Sequence, residues 1–413
     1  MPENNIDTPH SIDAPNGPGG NACGSNAFDG GELESKIFRI FVSSTFSDTR
    51  PERNHLQKKI FPELKNLCES HGYRFQAVDL RWGVTSESAY DQQTMRICLE
   101  EIKRSQKISP RPNFIILLGN RYGWLPLPYE IPQTDFEAAR DHLENQLKSA
   151  PGNADLIEVK SFLQKWYLLD ENADPAAYCL VPRDPKIAGD MSAEARESAR
   201  KREEAEWNHA ETVLHSFFAK ACDKINISEP TKLKFKLSAT AQEIAAGALS
   251  ESTARKHVFA FFRNIKGLPS SGPAQDYKGY IDLDKNGEVD TGMSGLLSNL
   301  KEDLRKTIPG NIFEYETNWL GKKDPNNDDE FPIMTDHVEK FGEDVKATLT
   351  NAILDRIASD KEIGALKREI ISHNKFGRDR SSVFIGRVEL LKKIDEYVKS
   401  NKNEAHSPLL LWG

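Results

Sequence analysis

Two rhythms of apolar residues alternate along this chain. Short runs that are apolar at nearly every position are separated by longer stretches in which apolar residues return every three or four places. Residues 37–42 (Ile-Phe-Arg-Ile-Phe-Val) suit a buried strand. Thr49-Arg-Pro-Glu52 has capping-box spacing with an early proline, so a helix is predicted next. Its inner face would carry Leu56, Ile60, Leu64 and Leu67, and Gly72 would end it. Residues 73–80 read as a second strand, and 90–105 as a helix carrying Met95, Ile97, Leu99 and Ile102. Residues 112–118 form a third strand, apolar on both faces. Continuous apolar strands alternating with helices predict an α/β fold around a parallel sheet covered on both sides.

After Pro132 the rhythm changes for about a hundred residues. Stretches 136–148, 154–169 and 193–225 carry helical periodicity, the last highly charged and expected to face solvent. Residues 133–235 are therefore expected to be a large α-helical insertion. The alternation then resumes with a helix at 241–249, a strand at 257–262, a helix at 295–306, a strand at 312–315 and a closing helix at 337–357. The expected domain thus spans residues 36–360, with a parallel sheet of about five strands.

The flanks differ in character. Residues 1–35 are rich in Asn, Gly, Pro and Asp without a periodic apolar face and are expected to be disordered. Residues 361–413 open as a charged linker. They end in an apolar run, Pro408-Leu-Leu-Leu-Trp-Gly413, of the kind that leads into a phosphate loop. With Phe384-Ile-Gly-Arg387 and an amphipathic helix before it, this segment resembles the start of a STAND-class NTPase domain. An unrelated helix–strand tail is the competing reading. The first reading makes the chain the N-terminal part of a longer protein, whose ATP and Mg²⁺ would bind beyond it.

Composition narrows the function classes. The 413 residues are 38% hydrophobic and 29% charged, with a net charge of −8, which argues against a dedicated nucleic-acid-binding protein. No apolar run is long enough to span a bilayer, and the N-terminus lacks the basic start and apolar core of a signal peptide. Cys23, Cys68, Cys98, Cys179 and Cys222 are scattered, without Cys-x-x-Cys spacing. They fit reduced thiols in a cytoplasm and give no metal site. Asp282-Leu-Asp-Lys-Asn-Gly287 imitates the start of an EF-hand loop, but its twelfth position is Met293, so calcium is not expected.

Unusual residues gather where the strands end, which is where ligands bind in open parallel sheets. Strand one runs into Ser43, Ser44, Thr45 and Phe46, strand two into Asp79, Arg81, Trp82 and Gly83, and strand three into Gly119, Arg121, Tyr122 and Trp124. Hydroxyls and guanidiniums there suit phosphates, and the aromatics suit a base, so a nucleotide is the expected ligand. Each loop also has a structural reading. Ser43 to Thr45 could cap the following helix, Arg81 and Arg121 could pair with Asp79 and Glu52, and the aromatics could pack against the insertion. Glu243, early in the helix after the insertion, would face the same edge. As a carboxylate it could stabilise or attack an oxocarbenium-like ribose. Alternatively, its spacing from Thr240 is that of a capping box.

Phe41-Val-Ser-Ser-Thr-Phe-Ser-Asp-Thr-Arg-Pro-Glu-Arg53, Asp79-Leu-Arg-Trp-Gly-Val-Thr85 and Leu118-Gly-Asn-Arg-Tyr-Gly-Trp124, in this order, resemble the DUF4062 family. That family precedes NACHT-type NTPase modules in telomerase-associated vault protein, nephrocystin-like proteins and bacterial antiviral STAND proteins. The resemblance covers roughly residues 36 to 360 and implies a TIR-like/flavodoxin-like sheet. Thr240-Ala-Gln-Glu-Ile-Ala-Ala-Gly247 is similar to the catalytic helix of nucleoside deoxyribosyltransferases, and Glu243 falls on their glutamate. The resemblance therefore implies a TIR-like effector in which Glu243 is catalytic and NAD⁺ or a related nucleotide is the substrate. No cofactor is expected within the chain itself. Activity would follow self-oligomerisation driven by the NTPase, in the cytoplasm, without membrane or direct nucleic-acid contact. A non-catalytic oligomerisation or partner-recruiting module is the alternative.

Overall fold

The computed structural model describes residues 36–80, 92–109, 111–184, 191–269, 277–284, 286–321, 331–361, 365–381 and 386–399. Arg81, Trp82 and Gly83 lie outside the described residues, as do the expected disordered segment 1–35 and the apolar run that ends at Gly413.

Five strands make one sheet: β1 (Ile37–Ser44), β2 (Arg74–Val78), β3 (Phe114–Leu118), β7 (Val258–Lys266) and β8 (Ile312–Asn318). Their order is β2-β1-β3-β7-β8, and every pairing is parallel. The sheet is the expected one.

Its strands alternate between two cores, as a period of two requires. On one face lie Phe38, Ile40, Val42, Ile115, Leu117, Phe259 and Phe261. On the other lie Phe41, Phe114, Ile116, Leu118, Val258, Ala260 and Phe262. Burial of each large apolar side chain contributes about 1.5–3 kcal/mol, so two-sided coverage stabilises the central strands.

Helices α1 (Arg50–His55) and α2 (Phe61–Ser70), joined by a π-helical turn at Leu56–Ile60, cover the first face. α10 (His337–Lys361) joins them there, with Phe341, Val345, Leu349, Ile353 and Ile357 buried at four-residue spacing. The second face is covered by α3 (Thr94–Ile108), α8 (Ala239–Ile244) with its π-helical continuation Ala245–Leu249, and α9 (Thr291–Thr307). In α3 the buried residues are Cys98, Ile102 and Ser105, while Met95, Ile97 and Leu99 are only half-buried. Positions two apart fall on different sides of a helix, so these apolar residues do not all share the buried face.

The insertion is not all helical. Besides α4 (Gln133–Ser149), α5 (Ala154–Trp166), α6 (Ala193–Ala221) and α7 (Glu229–Lys236), it contains a three-stranded antiparallel sheet. Its strands are β4 (Glu130–Pro132), β5 (Tyr167–Asp170) and β6 (Ala177–Leu180), in the order β4-β6-β5. The helix predicted through residue 169 therefore stops at Trp166. A turn in which the Asp170 carboxylate accepts from the Asn172 N–H reverses the chain between β5 and β6. This region has a core of its own, with Phe136 stacked on Tyr178 at 3.9 Å and Trp166 edge-on to Trp207 at 4.8 Å. Nor does α6 simply face solvent. Ala199, Glu203, Trp207, Ala210, Leu214 and Phe218 form a buried stripe along it, and Arg183 holds Glu203 through two 2.8 Å hydrogen bonds.

Residues 34–362 form one compact unit, and α11 (Ala365–Ser381) and α12 (Val388–Lys399) belong to another. No described helix is long and apolar enough to cross a membrane.

Candidate active site

Every strand of the main sheet points its carboxyl end to the same edge, and the chain changes direction between β1 and β3. That switch point is where an open α/β sheet offers a crevice. Ser43 and Ser44 close β1 there, opposite Ile116 and Leu117 of β3. All three hydroxyl residues of this turn are buried.

Their environment is built by buried charged side chains whose pairings sequence reasoning did not give. Arg53, on α1, is 1% exposed. Its Nη1 donates to Ser44 Oγ at 2.5 Å, its Nε to Asp79 at 3.0 Å, and its Nη2 pairs with the other Asp79 oxygen. Both oxygens of Asp79 are thus engaged by Arg53. The Thr49 hydroxyl does not cap α1, because it donates to Thr45 O at 2.9 Å. Glu52 does not close a capping box either. It accepts from His337 at 2.8 Å and lies 3.3 Å from Arg263 Nε. Burial works against its charge, but Arg263 and then His337 outweigh that and hold the Glu52 carboxyl below the usual range. Asp48, also bonded by the Thr45 hydroxyl and 3.5 Å from Arg263 Nη2, is raised because burial dominates. An arginine within β7, Arg263, directly after its apolar run, was the available signal for this buried cluster.

Glu243 reaches the switch point from α8. The cap of that helix is Ser238, whose hydroxyl accepts from the Ala241 N–H at 3.2 Å. Glu243 is therefore not the partner of Thr240 in a capping box. Its carboxylate accepts from Ser43 Oγ at 2.6 Å, and the thiol of Cys98 on α3 lies beside it. Burial pushes its pKa up to about 7, against the opposing pull of Ser43, Cys98 and Arg53. Burial also raises the Cys98 thiol, with Glu243 adding to it. Gly247 lets this helix approach the sheet, since a methyl at its Cα would lie 2.5 Å from the Phe114 ring.

The loop after β3 is tightly occupied. A methyl on Gly119 would lie 2.1 Å from Asp48 Oδ2 and 2.6 Å from Arg263 Nη2, while Lys301 donates to Gly119 O at 2.7 Å. Arg121 does not pair with Asp79 or Glu52. Its Nε donates to Asp282 at 3.2 Å and its Nη1 to Ser47 at 2.6 Å. The Tyr122 ring is buried in the sheet core, not on the rim. Phe46 and Trp124 are exposed, at 55% and 46%. Phe46 lies under the Arg53 guanidinium at 5.6 Å, and Trp124 donates to Glu211 of α6 at 3.0 Å.

The structure thus brings Ser43, Ser44, Thr45 and Glu243 together, with Arg53, Asp79 and Cys98 around them. It sets Arg121 and Tyr122 in a neighbouring, internally bonded loop. Among the described residues no group of three or more His, Cys, Asp or Glu side chains is placed to hold a metal. In the EF-hand-like stretch, Asp284 accepts from the Asn286 and Glu288 amides, and Asp290 caps α9. A carboxyl with a pKa about 7 can be a proton donor, a proton acceptor or a negative charge at neutral pH, according to what binds beside it.

The family described as "Domain of unknown function (DUF4062)" matches residues 39–150, which takes in β1, β2, β3 and their loops but not Glu243. The chain is 28% identical over 367 residues to NACHT domain- and WD repeat-containing protein 1 of Mus musculus, covering 88% of this chain and 22% of that protein. It is 24% identical over 390 residues to NACHT and WD repeat domain-containing protein 2 of Homo sapiens, covering 91% and 22%. Telomerase protein component 1 of Mus musculus is 32% identical over 148 residues, covering 36% and 5%. The chain therefore spans about a fifth (22%) of the length of the two NACHT proteins it resembles. No solved structure matches it.

Proposed function

We propose that this chain is the N-terminal domain of a NACHT-type NTPase and that its Glu243 site cleaves the N-glycosidic bond of NAD⁺ or a related nucleotide when copies are brought together. The similarity to two NACHT proteins over most of the chain supports the first part. One observation carries the second: a buried carboxyl at the switch point, tethered to Ser43, with its pKa raised to about 7.

In this reaction the bond between the ribose anomeric carbon and the pyridinium nitrogen breaks, and its electron pair stays on the nitrogen. Neutral nicotinamide leaves without needing a proton. The ionised Glu243 faces the resulting oxocarbenium charge. Water then attacks the anomeric carbon and gives up a proton, which the carboxylate accepts, leaving ADP-ribose. Ser43 fixes the carboxylate. Ser44, Thr45, Arg81 and Arg121 would hold phosphates, with Gly83 and Gly119 giving close backbone approach. Phe46, Trp82 and Trp124 would hold the base, and the exposed rings of Phe46 and Trp124 are the ones best placed for stacking, whereas the Tyr122 ring is taken up by the core. Chromatographic measurement of NAD⁺ consumption by wild type and Glu243→Gln tests the reading. Turnover that survives in the variant removes Glu243 from it.

A second reading is favoured by the charge pattern. Arg53, Arg121 and Arg263 are each paired with carboxylates of the same chain, which suits a module that recruits or oligomerises without catalysis. It predicts that Glu243→Ala is silent in signalling while changes on the charged face of α6 abolish it.

A further inference from the structure

One carboxylate at the sheet edge is held in the way a phosphate is held. Asp282 Oδ2 accepts from the consecutive backbone N–H groups of Tyr122 and Gly123, at 2.6 and 3.1 Å. Its other oxygen accepts from Arg121 Nε at 3.2 Å. Gly123 has φ 94°, which turns the two amides toward the same point. Successive amides converging with a guanidinium make a concavity for an oxyanion. The same loop also supports Glu243's helix. Trp124 O accepts from the Ala239 N–H at 2.8 Å.

The segment that brings Asp282 closes on itself. Asp290 N donates to Asp282 O at 2.9 Å, Leu283 and Val289 form a bridge, and Asp284 holds its own turn. Its carboxylate can therefore leave the amides while the loop keeps its internal bonds.

The geometry points to a phosphate site in which the Tyr122 and Gly123 amides and the Arg121 guanidinium receive the pyrophosphate of a nucleotide, and which Asp282 fills until a ligand displaces it. This deepens the reading above and rests on it for the class of ligand, though not for bond cleavage. A carboxylate tethered beside its donors acts at high effective concentration, so a free phosphate competes poorly with it. The site is then closed by default. Anything that draws the 282–290 loop away opens it.

Inorganic pyrophosphate, titrated calorimetrically into the whole chain, is the probe. It has no glycosidic bond, so its binding is read whether or not Glu243 cleaves anything. Asp282→Asn keeps an acceptor oxygen and drops the charge, and it should bind pyrophosphate about tenfold more tightly than wild type or better. Adding Arg121→Gln should remove that gain. Equal affinity in wild type and a folded Asp282→Asn overturns the proposal. Should that variant not fold, amide NMR of the wild type decides: saturating pyrophosphate should shift the Tyr122 and Gly123 amide resonances as phosphate replaces carboxylate. Resonances of both amides unchanged at saturating pyrophosphate overturn it equally.

Discussion

Ser43 at the end of β1 donates its hydroxyl hydrogen to Glu243 on α8 across 2.6 Å, joining residues 200 positions apart at the switch point of the sheet. Removing this donor leaves the carboxylate form with one partner fewer. Because the Ser43 bond lowers the Glu243 pKa, Ser43→Ala should raise it further above about 7. The alkaline shift should appear in a carboxyl NMR titration, and in the acidic limb of any pH–rate profile.

Glu243 also ties stability to pH. Its pKa rises from an ordinary 4.5 to about 7 on folding, so between those values the folded chain binds the extra proton. Its contribution to stability is present below the lower value and is lost as pH rises through the upper one. The loss amounts to about 3 kcal/mol at most. Glu243→Gln, neutral at every pH, should match wild type in urea melts near pH 4, below the ordinary value of 4.5, and exceed it near pH 8.

Much of this was legible beforehand. The apolar strands and the helical periodicity fixed the parallel sheet, because strands buried on both faces must be apolar throughout. The placement of Ser43, Ser44, Thr45 and Glu243 at one edge of the sheet was also legible, since strand ends and a helix start meet there. The charges that hold them were not. Arg53 and Asp79, Arg263 and Glu52, and Arg121 and Asp282 are pairs made by folding across long stretches of chain, and local spacing carries no trace of them. The β5–β6 hairpin was missed because Tyr167-Leu-Leu continues the apolar period of α5.

The Arg53–Asp79 pair should behave as a buried unit. Arg53→Met leaves Asp79 charged, without its bidentate partner, and should destabilise the chain by about 3–5 kcal/mol. Arg53→Met with Asp79→Asn should recover much of that, because no uncompensated charge remains. A double-mutant cycle from denaturant melts gives the coupling.

Gly247 sets how closely α8 lies on the sheet. In Gly247→Ala the new methyl would meet the Phe114 ring at 2.5–2.8 Å, so helix or ring must move. The expected cost is about 1–3 kcal/mol in thermal or chemical melts. The Ser43–Glu243 bond should lengthen with it, lowering turnover more than the stability loss alone would.

Nicotinamide release from NAD⁺, followed with the whole chain free and fused to an oligomerising tag, bears on all of this at once. We expect release from the clustered protein, little from the free one, and none from clustered Glu243→Gln. No release from folded, clustered wild type would contradict the glycosidic reading and leave the buried carboxyl of Glu243 as part of a recruiting module.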